Sequence, residues 1–129
     1  MGILKCSAWI SVLIAVAGLM LDVLSTFRNV GAYGFLSEGN LALRESMQRY
    51  GVPLALAGYA LLRLCALAIP LVVAFVVWRL CRGRVDPCEA RKVRSAMSLV
   101  RMAWAGFCAA VWWSQGIANL LFPLIPEAY

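Results

Sequence analysis

Asp22 lies inside the first long apolar segment of the chain, in the run LDVLSTF. Ser25, Thr26 and Asn29 follow it at spacings of three, four and seven residues, so a helix would place all four polar side chains on one face. Arg63 lies inside the second apolar segment. An acid and a base within apolar segments suit a proton-transfer site, a site for an ion or solute, or a structural ion pair.

The polar residues predict one cluster in the outer half of a helix bundle. An unpaired charge at the centre of a membrane helix costs about 2.5–3.5 kcal/mol, and pairing Asp22 with Arg63 would remove most of that cost. Tyr59 shares a helix face with Arg63, because the two residues are four apart. We predict that the cluster is mainly structural, with an ion or substrate site as the alternative. The predicted members are Asp22, Ser25, Thr26, Glu38, Asn40, Arg63, Gln115 and Asn119.

The composition indicates an integral membrane protein. Hydrophobic residues make up 64% of the 129 residues and charged residues only 14%, whereas soluble domains have roughly 45–50% apolar and about 25% charged residues. Apolar blocks at about 7–27, 53–80 and 97–122 each exceed the roughly 20 residues that span a bilayer. The first block contains the small residues Ala15, Ala17 and Gly18 but runs on past them, so it is too long for a cleavable signal peptide. We therefore predict one all-α transmembrane domain over residues 1–129, with three transmembrane helices.

A short amphipathic helix is predicted between the first and second spans. Asn40 is suited to cap its beginning, and Gly51 is suited to end it in the left-handed conformation. Leu43, Met47 and Tyr50 fall at i, i+4 and i+7 and form an apolar stripe. Such a helix is expected to lie flat in the outer membrane–water interface.

The basic residues predict the orientation of the chain in the cell membrane. The link between the second and third spans carries Arg79, Arg82, Arg84, Arg91, Lys92 and Arg94. The positive-inside rule then places the N-terminus and the 79–95 loop in the cytoplasm and the C-terminus outside. This loop is short and contains no aromatic residue, so we predict attraction to anionic headgroups and no nucleic-acid partner.

The sequence predicts no metal ion or redox cofactor. It has five cysteines and no histidine. Cys81 and Cys88 are seven residues apart, which is not a zinc-binding spacing. Without histidine the usual ligands of haem and copper are missing. We expect structural, reduced thiols.

The run from Asp22 to Arg44, LDVLSTF…GAYGFLSEGNLALR, resembles a family of small, uncharacterised prokaryotic multi-span membrane proteins (a domain of unknown function). Their pattern is Asp-x3-Thr at the end of one span, a glycine-containing loop, Glu-x-Asn-Pro, and a second span with a basic residue at mid-helix. Leu41 stands where the family usually has proline, and the basic residue here is arginine where lysine is commoner. The resemblance covers about residues 15–80 and implies one polar unit, without implying an activity. The positions that match the pattern are Asp22, Thr26, Glu38, Asn40 and Arg63.

Three functions are considered for this sequence. The first is a non-catalytic small integral membrane subunit or assembly factor of a larger membrane complex, which we predict. The alternative is a homo-oligomeric carrier or channel for a small solute or ion that uses an intramembrane Asp–Arg site. An enzyme using Asp22 and Glu38 as acid and base is not predicted, because the sequence has no histidine, no nucleophile elbow and no Ser–Lys pair in a span. The expected partners are the lipid bilayer and either other membrane subunits or further copies of the chain.

The predicted orientation can be tested with the cysteines of the basic loop. Cys81 and Cys88 should face the cytoplasm, because six basic residues surround them. A membrane-impermeant thiol reagent added to intact cells should therefore leave both unmodified. Rapid labelling from outside would reverse the orientation.

Overall fold

The structure is a computed structural model of the chain that describes residues 2–121, with side chains for residues 9–35 and 37–121. It confirms an all-α protein with three helices that are long and apolar enough to cross a membrane. Within the described residues there is no β-strand. The helices are α1 (Gly2–Tyr33), α2 (Leu41–Tyr50), α3 (Val52–Cys81) and α4 (Pro87–Leu121), with a 3-10 turn at Phe35–Ser37 before α2.

The third spanning helix begins earlier than the hydropathy indicates. The apolar block starts at about residue 97, whereas α4 begins at Pro87, a residue that suits the first turn of a helix. The link between α3 and α4 is therefore short, and Arg91, Lys92 and Arg94 lie on the first turns of α4. The Arg94 guanidinium carbon lies 4.8 Å from the ring centroid of Trp78 near the end of α3. The predicted end of this span, at residue 122, lies outside the described residues.

The short helix between the first two spans has the predicted ends. The Asn40 side chain accepts a hydrogen bond from the Leu43 backbone N–H, at 3.2 Å between Oδ1 and N. At the other end Gly51 has a φ of 84°, which glycine adopts at little cost. Pro53 occupies the first turn of α3, where a missing N–H costs nothing. These residues make α2 and α3 consecutive helices with a sharp turn between them.

The apolar stripe of α2 packs against protein. Leu43 and Met47 are buried beside Val30 of α1 and Ala55 and Leu56 of α3, and Met47 is only 1% exposed. These two residues of the predicted apolar stripe therefore face the protein. Tyr50, the third member, is exposed. The hydrophobic side chains of α2 thus fix its position over α1 and α3.

The first and last helices form the main interface of the bundle, and two glycines allow their close approach. A Cβ atom added to Gly18 would lie 2.6 Å from Trp113 Cδ1, so the indole ring occupies the space of a missing side chain. The Trp113 Nε1–H donates to the backbone oxygen of Ile14 at 2.9 Å. Gly116 lies at a second close approach, where an added Cβ would lie 3.0 Å from the backbone nitrogen of Asp22. Small residues are commonly found where membrane helices approach closely.

A second indole compensates for the proline inside α3. Pro70 has no N–H, so the carbonyl of Ala66, four residues earlier, loses its helical donor. The Trp104 Nε1–H of α4 donates to this oxygen at 3.3 Å. Neighbouring groups commonly satisfy backbone atoms freed by proline in membrane helices. The contact also attaches α3 to α4.

The packing of α2 gives a stability prediction. Met47→Ala should lower the free energy of unfolding by about 2–5 kcal/mol, because it leaves a cavity in a closed cluster. Tyr50→Ala, on the same helix but at a 60% exposed position, should change it by less than about 0.5 kcal/mol. Thermal unfolding in detergent micelles would measure both. Equal losses for the two variants would contradict the observed packing.

Candidate functional site

The polar face of α1 is buried in the bundle. Asp22 is 3% exposed, and Ser25, Thr26 and Asn29 are buried with it. All four lie on one side of the helix, as their spacing predicts. The Ser25 hydroxyl donates to the backbone oxygen of Asp22 at 3.0 Å, so its hydrogen bond is made within α1. The other three side chains are available to the neighbouring helices.

The Asp22 carboxylate connects all three spanning helices. The Tyr59 hydroxyl of α3 donates to Asp22 Oδ2 at 2.9 Å. The Asn119 side-chain amide of α4 donates to Asp22 Oδ1 at 3.0 Å and lies 3.0 Å from Thr26 Oγ1. Each oxygen of the Asp22 side chain therefore has its own donor.

Asn29 adds a second connection between α1 and α4. Its side-chain amide donates to the backbone oxygen of Asn119 at 2.6 Å. Its own oxygen faces the Arg28 guanidinium, with nitrogen–oxygen distances of 3.4 and 3.3 Å. Asn119 is thus held through both its side chain and its backbone, which fixes the amide that serves Asp22.

The predicted direct pair between Asp22 and Arg63 is not formed. Among the described residues no nitrogen of Arg63 lies within ion-pair distance of Asp22. The Arg63 guanidinium carbon lies 4.9 Å from the Tyr59 ring centroid, while the hydroxyl of the same ring reaches the acid. Tyr59 is one turn nearer the N-terminal end of α3 than Arg63, and it contacts both residues.

Glu38 lies beside the cluster, whereas the Asn40 side chain caps α2. Glu38 Oε1 accepts from the Asn40 backbone N–H at 2.7 Å. Burial raises the pKa of the Glu38 carboxyl; the bond from Asn40 opposes this shift, and the negative charge of Asp22 adds to it. Glu38 also borders a recess with Thr26 and Asn119 that has no room for a water molecule. The polar unit that the family resemblance implies is therefore partly formed: Glu38 adjoins it, and Asn40 caps α2.

Gln115 is close in sequence to the cluster but is not bonded into it. Its side-chain oxygen is buried, and no donor from the described part of the chain reaches it.

The sequence did not predict the roles of Tyr59 and Asn29 in the cluster. Both lie on the predicted polar faces, so the signal was present, but only the positions of the helices show which acceptor each one meets. The described residues contain no group of three or more His, Cys, Asp or Glu placed to hold a metal ion.

Comparisons with protein-family models, with curated proteins and with solved structures find no match. The resemblance to the family with the Asp-x3-Thr pattern therefore stays a prediction. What can be said of function rests on the contacts of this chain alone.

A double-mutant cycle can test which residue holds Asp22. Tyr59→Phe removes the hydroxyl and keeps the ring, and we expect a coupling energy between Asp22→Ala and Tyr59→Phe of about 0.5–2 kcal/mol. The cycle of Asp22→Ala with Arg63→Gln should give a smaller value, because no direct bond is lost. Thermal unfolding in detergent supplies the four stabilities of each cycle.

The matched control is Tyr50→Phe, which removes a hydroxyl from an exposed tyrosine. Its coupling energy with Asp22→Ala should be close to zero. A larger coupling for Arg63 than for Tyr59 would restore the direct ion pair and contradict the geometry described above.

Proposed function

We propose that the protein is a non-catalytic integral membrane subunit or assembly factor of a larger membrane complex. In this proposal it lies in the cell membrane, with its N-terminus and the 79–95 loop in the cytoplasm. The observation that carries the proposal is a contrast within the molecule. Asp22 is buried and accepts a hydrogen bond at each oxygen, whereas α3 leaves most of its surface without a protein partner.

The surroundings of Asp22 support a structural role for this residue. Asp22 is only 3% exposed and each of its oxygens already accepts a hydrogen bond from a neighbouring helix, which favours a structural role over contact with a solute or ion. The adjoining recess cannot admit water. A fully connected polar network in a low-dielectric interior fixes one arrangement of its elements. In this chain it fixes how α1, α3 and α4 meet.

The exposed surface of α3 supports a binding role for that helix. Along its 30 residues only Ala55, Leu56, Leu67 and Ala74 are buried. Lipid covers an apolar face at no penalty, but Arg63 lies in the same helix and is only half-buried. A charge near the bilayer centre is costly against lipid and normally faces protein or water. A protein partner against this side of α3 would meet that requirement.

The alternative function is a homo-oligomeric carrier or channel. It is favoured by one observation: an acid, Asp22, and a base, Arg63, both contact Tyr59, one at its hydroxyl and the other at its ring. Three helices cannot enclose a pore, so this function requires several copies of the chain. It predicts flux of an ion or small solute into liposomes that is lost in Asp22→Asn.

Purification of the native assembly in a mild detergent separates the two functions. The subunit function predicts a particle that contains larger, different polypeptides beside this chain of 14.1 kDa, as measured by native mass spectrometry. A particle whose mass is a multiple of 14.1 kDa, with Asp22-dependent flux after reconstitution, would reject the proposal in favour of the carrier. A stoichiometric complex without flux would support it.

A further inference from the structure

A groove of about 910 Å³ lies between α2 and the outer half of α3. Its walls are mainly aliphatic, and they include Leu43, Leu54 and Leu62. Gly58 opens onto it, since a Cβ added there would meet nothing within 4 Å. Arg63 lines the groove and is the one charged residue to do so among the described residues. We refer to this feature as the α2–α3 groove.

Arg63 lies near the middle of its helix and lacks a direct counter-ion. It is 3.5 residues from the midpoint of Val52–Cys81, which corresponds to roughly 5 Å along the helix axis. Within the described chain its guanidinium forms no ion pair, and it lies against the Tyr59 ring. A ring face stabilises a cation less than a carboxylate does, because a carboxylate accepts two charge-assisted bonds from one guanidinium. The groove therefore presents a cation whose best partner is an acid at mid-bilayer depth.

The depth of Arg63 argues against a phospholipid as that partner. Headgroup phosphates lie at the surface of a hydrocarbon core that is about 30 Å thick, and so roughly 15 Å from its middle. Because Arg63 is displaced by roughly 5 Å from the helix midpoint, its backbone lies roughly 10 Å from the nearer surface. An arginine side chain reaches several ångströms towards the interface, which does not close this distance. An acidic side chain on a membrane-spanning helix can lie at any depth.

The composition of the chain argues against a second copy as the partner. Asp22 is the acid inside the described spans, and it is buried with both oxygens bonded. The other acidic residues of the described chain lie at or beyond the ends of the spans: Glu38, Glu45, Asp86 and Glu89. Another copy would therefore bring no available carboxylate to the level of Arg63.

We propose that the α2–α3 groove binds a transmembrane helix of a different protein that carries one Asp or Glu at the depth of Arg63. This inference rests on the proposed subunit function and specifies the chemistry of its partner. Gly58 lets the partner backbone approach closely, as small residues do at membrane helix interfaces. The aliphatic walls supply packing, and the buried charge pair supplies register, because a one-turn shift would leave both charges unpaired.

The test uses a synthetic helix of about 20 leucine and alanine residues with a single central glutamate. A matched helix carries glutamine at the same place. Association of each labelled helix with the full-length protein is measured by energy transfer in phosphatidylcholine vesicles. The glutamate helix should bind at least about tenfold more tightly than the glutamine helix, a difference of about 1.4 kcal/mol.

Three variants of the protein locate the interaction. In Arg63→Gln the two helices should bind with about equal affinity. Arg101→Gln should preserve it, since Arg101 lies on α4 outside the groove and bonds to the Met97 backbone oxygen. Gly58→Leu fills the groove and should weaken both helices. The comparison of the two helices on the unaltered protein requires no variant to fold.

Equal affinity of the unaltered protein for the two helices would overturn the inference, and so would a preference that persists in Arg63→Gln. Displacement of the glutamate helix by phosphatidylglycerol added to the vesicles would assign the groove to an anionic lipid and also overturn it. A native complex with larger polypeptides, found together with equal affinity for the two helices, would leave the subunit function standing and reject this account of the groove.

Discussion

The bundle depends on one buried carboxylate that three helices share. In a bilayer no water is present to satisfy Asp22, so α3 and α4 must bring their donors to it. Tyr59 donates to one oxygen of the carboxylate and Asn119 donates to the other. A rotation of α3 or a shift of α4 by one turn would break one of these bonds and leave part of the acid unsatisfied. The carboxylate therefore selects one arrangement among the many that apolar packing between lipid-like surfaces would allow.

The close approach of α1 and α4 is what makes this arrangement possible. Gly116 brings the backbone of α4 against Asp22, and Asn119 follows three residues later on the same side. At the other level of the interface Gly18 accommodates the indole of Trp113. The hydrogen bond from that indole to Ile14 fixes the helices at a second point. Two contacts at different depths determine both the separation of the helices and their relative rotation.

Much of this architecture follows from the sequence, because its causes are local. The length of the apolar blocks predicts the spans, and spacings of three, four and seven predict the polar face of α1. Asn40 and Gly51 predict the ends of α2 through capping chemistry. These features depend on residues that are near one another in the chain, so no knowledge of the packed structure is needed.

The predictions from the sequence that fail concern contacts between segments that are distant along the chain. A charge-based argument pairs Asp22 with Arg63, yet the hydroxyl of Tyr59 reaches the acid first. A stripe of apolar residues on α2 fits either lipid or protein, and only the position of α3 shows that Met47 packs against protein. Gln115 has the right type and depth for the cluster, but its buried oxygen has no donor in the described structure. Residue type and depth are thus insufficient where several helix rotations place different side chains at the same level.

The shared carboxylate has a consequence for biosynthesis. Asp22 enters the membrane with the first helix, but its partners on α3 and α4 come 37 and 97 residues later. At a synthesis rate of about 5–20 residues per second, the Asn119 partner arrives roughly 5–20 s after the acid. Until then α1 carries an incompletely satisfied carboxylate and an open groove at Gly18. The contacts of Asp22 can therefore be completed only after α4 has been synthesised, and until then the polar face of α1 lacks its partner on that helix.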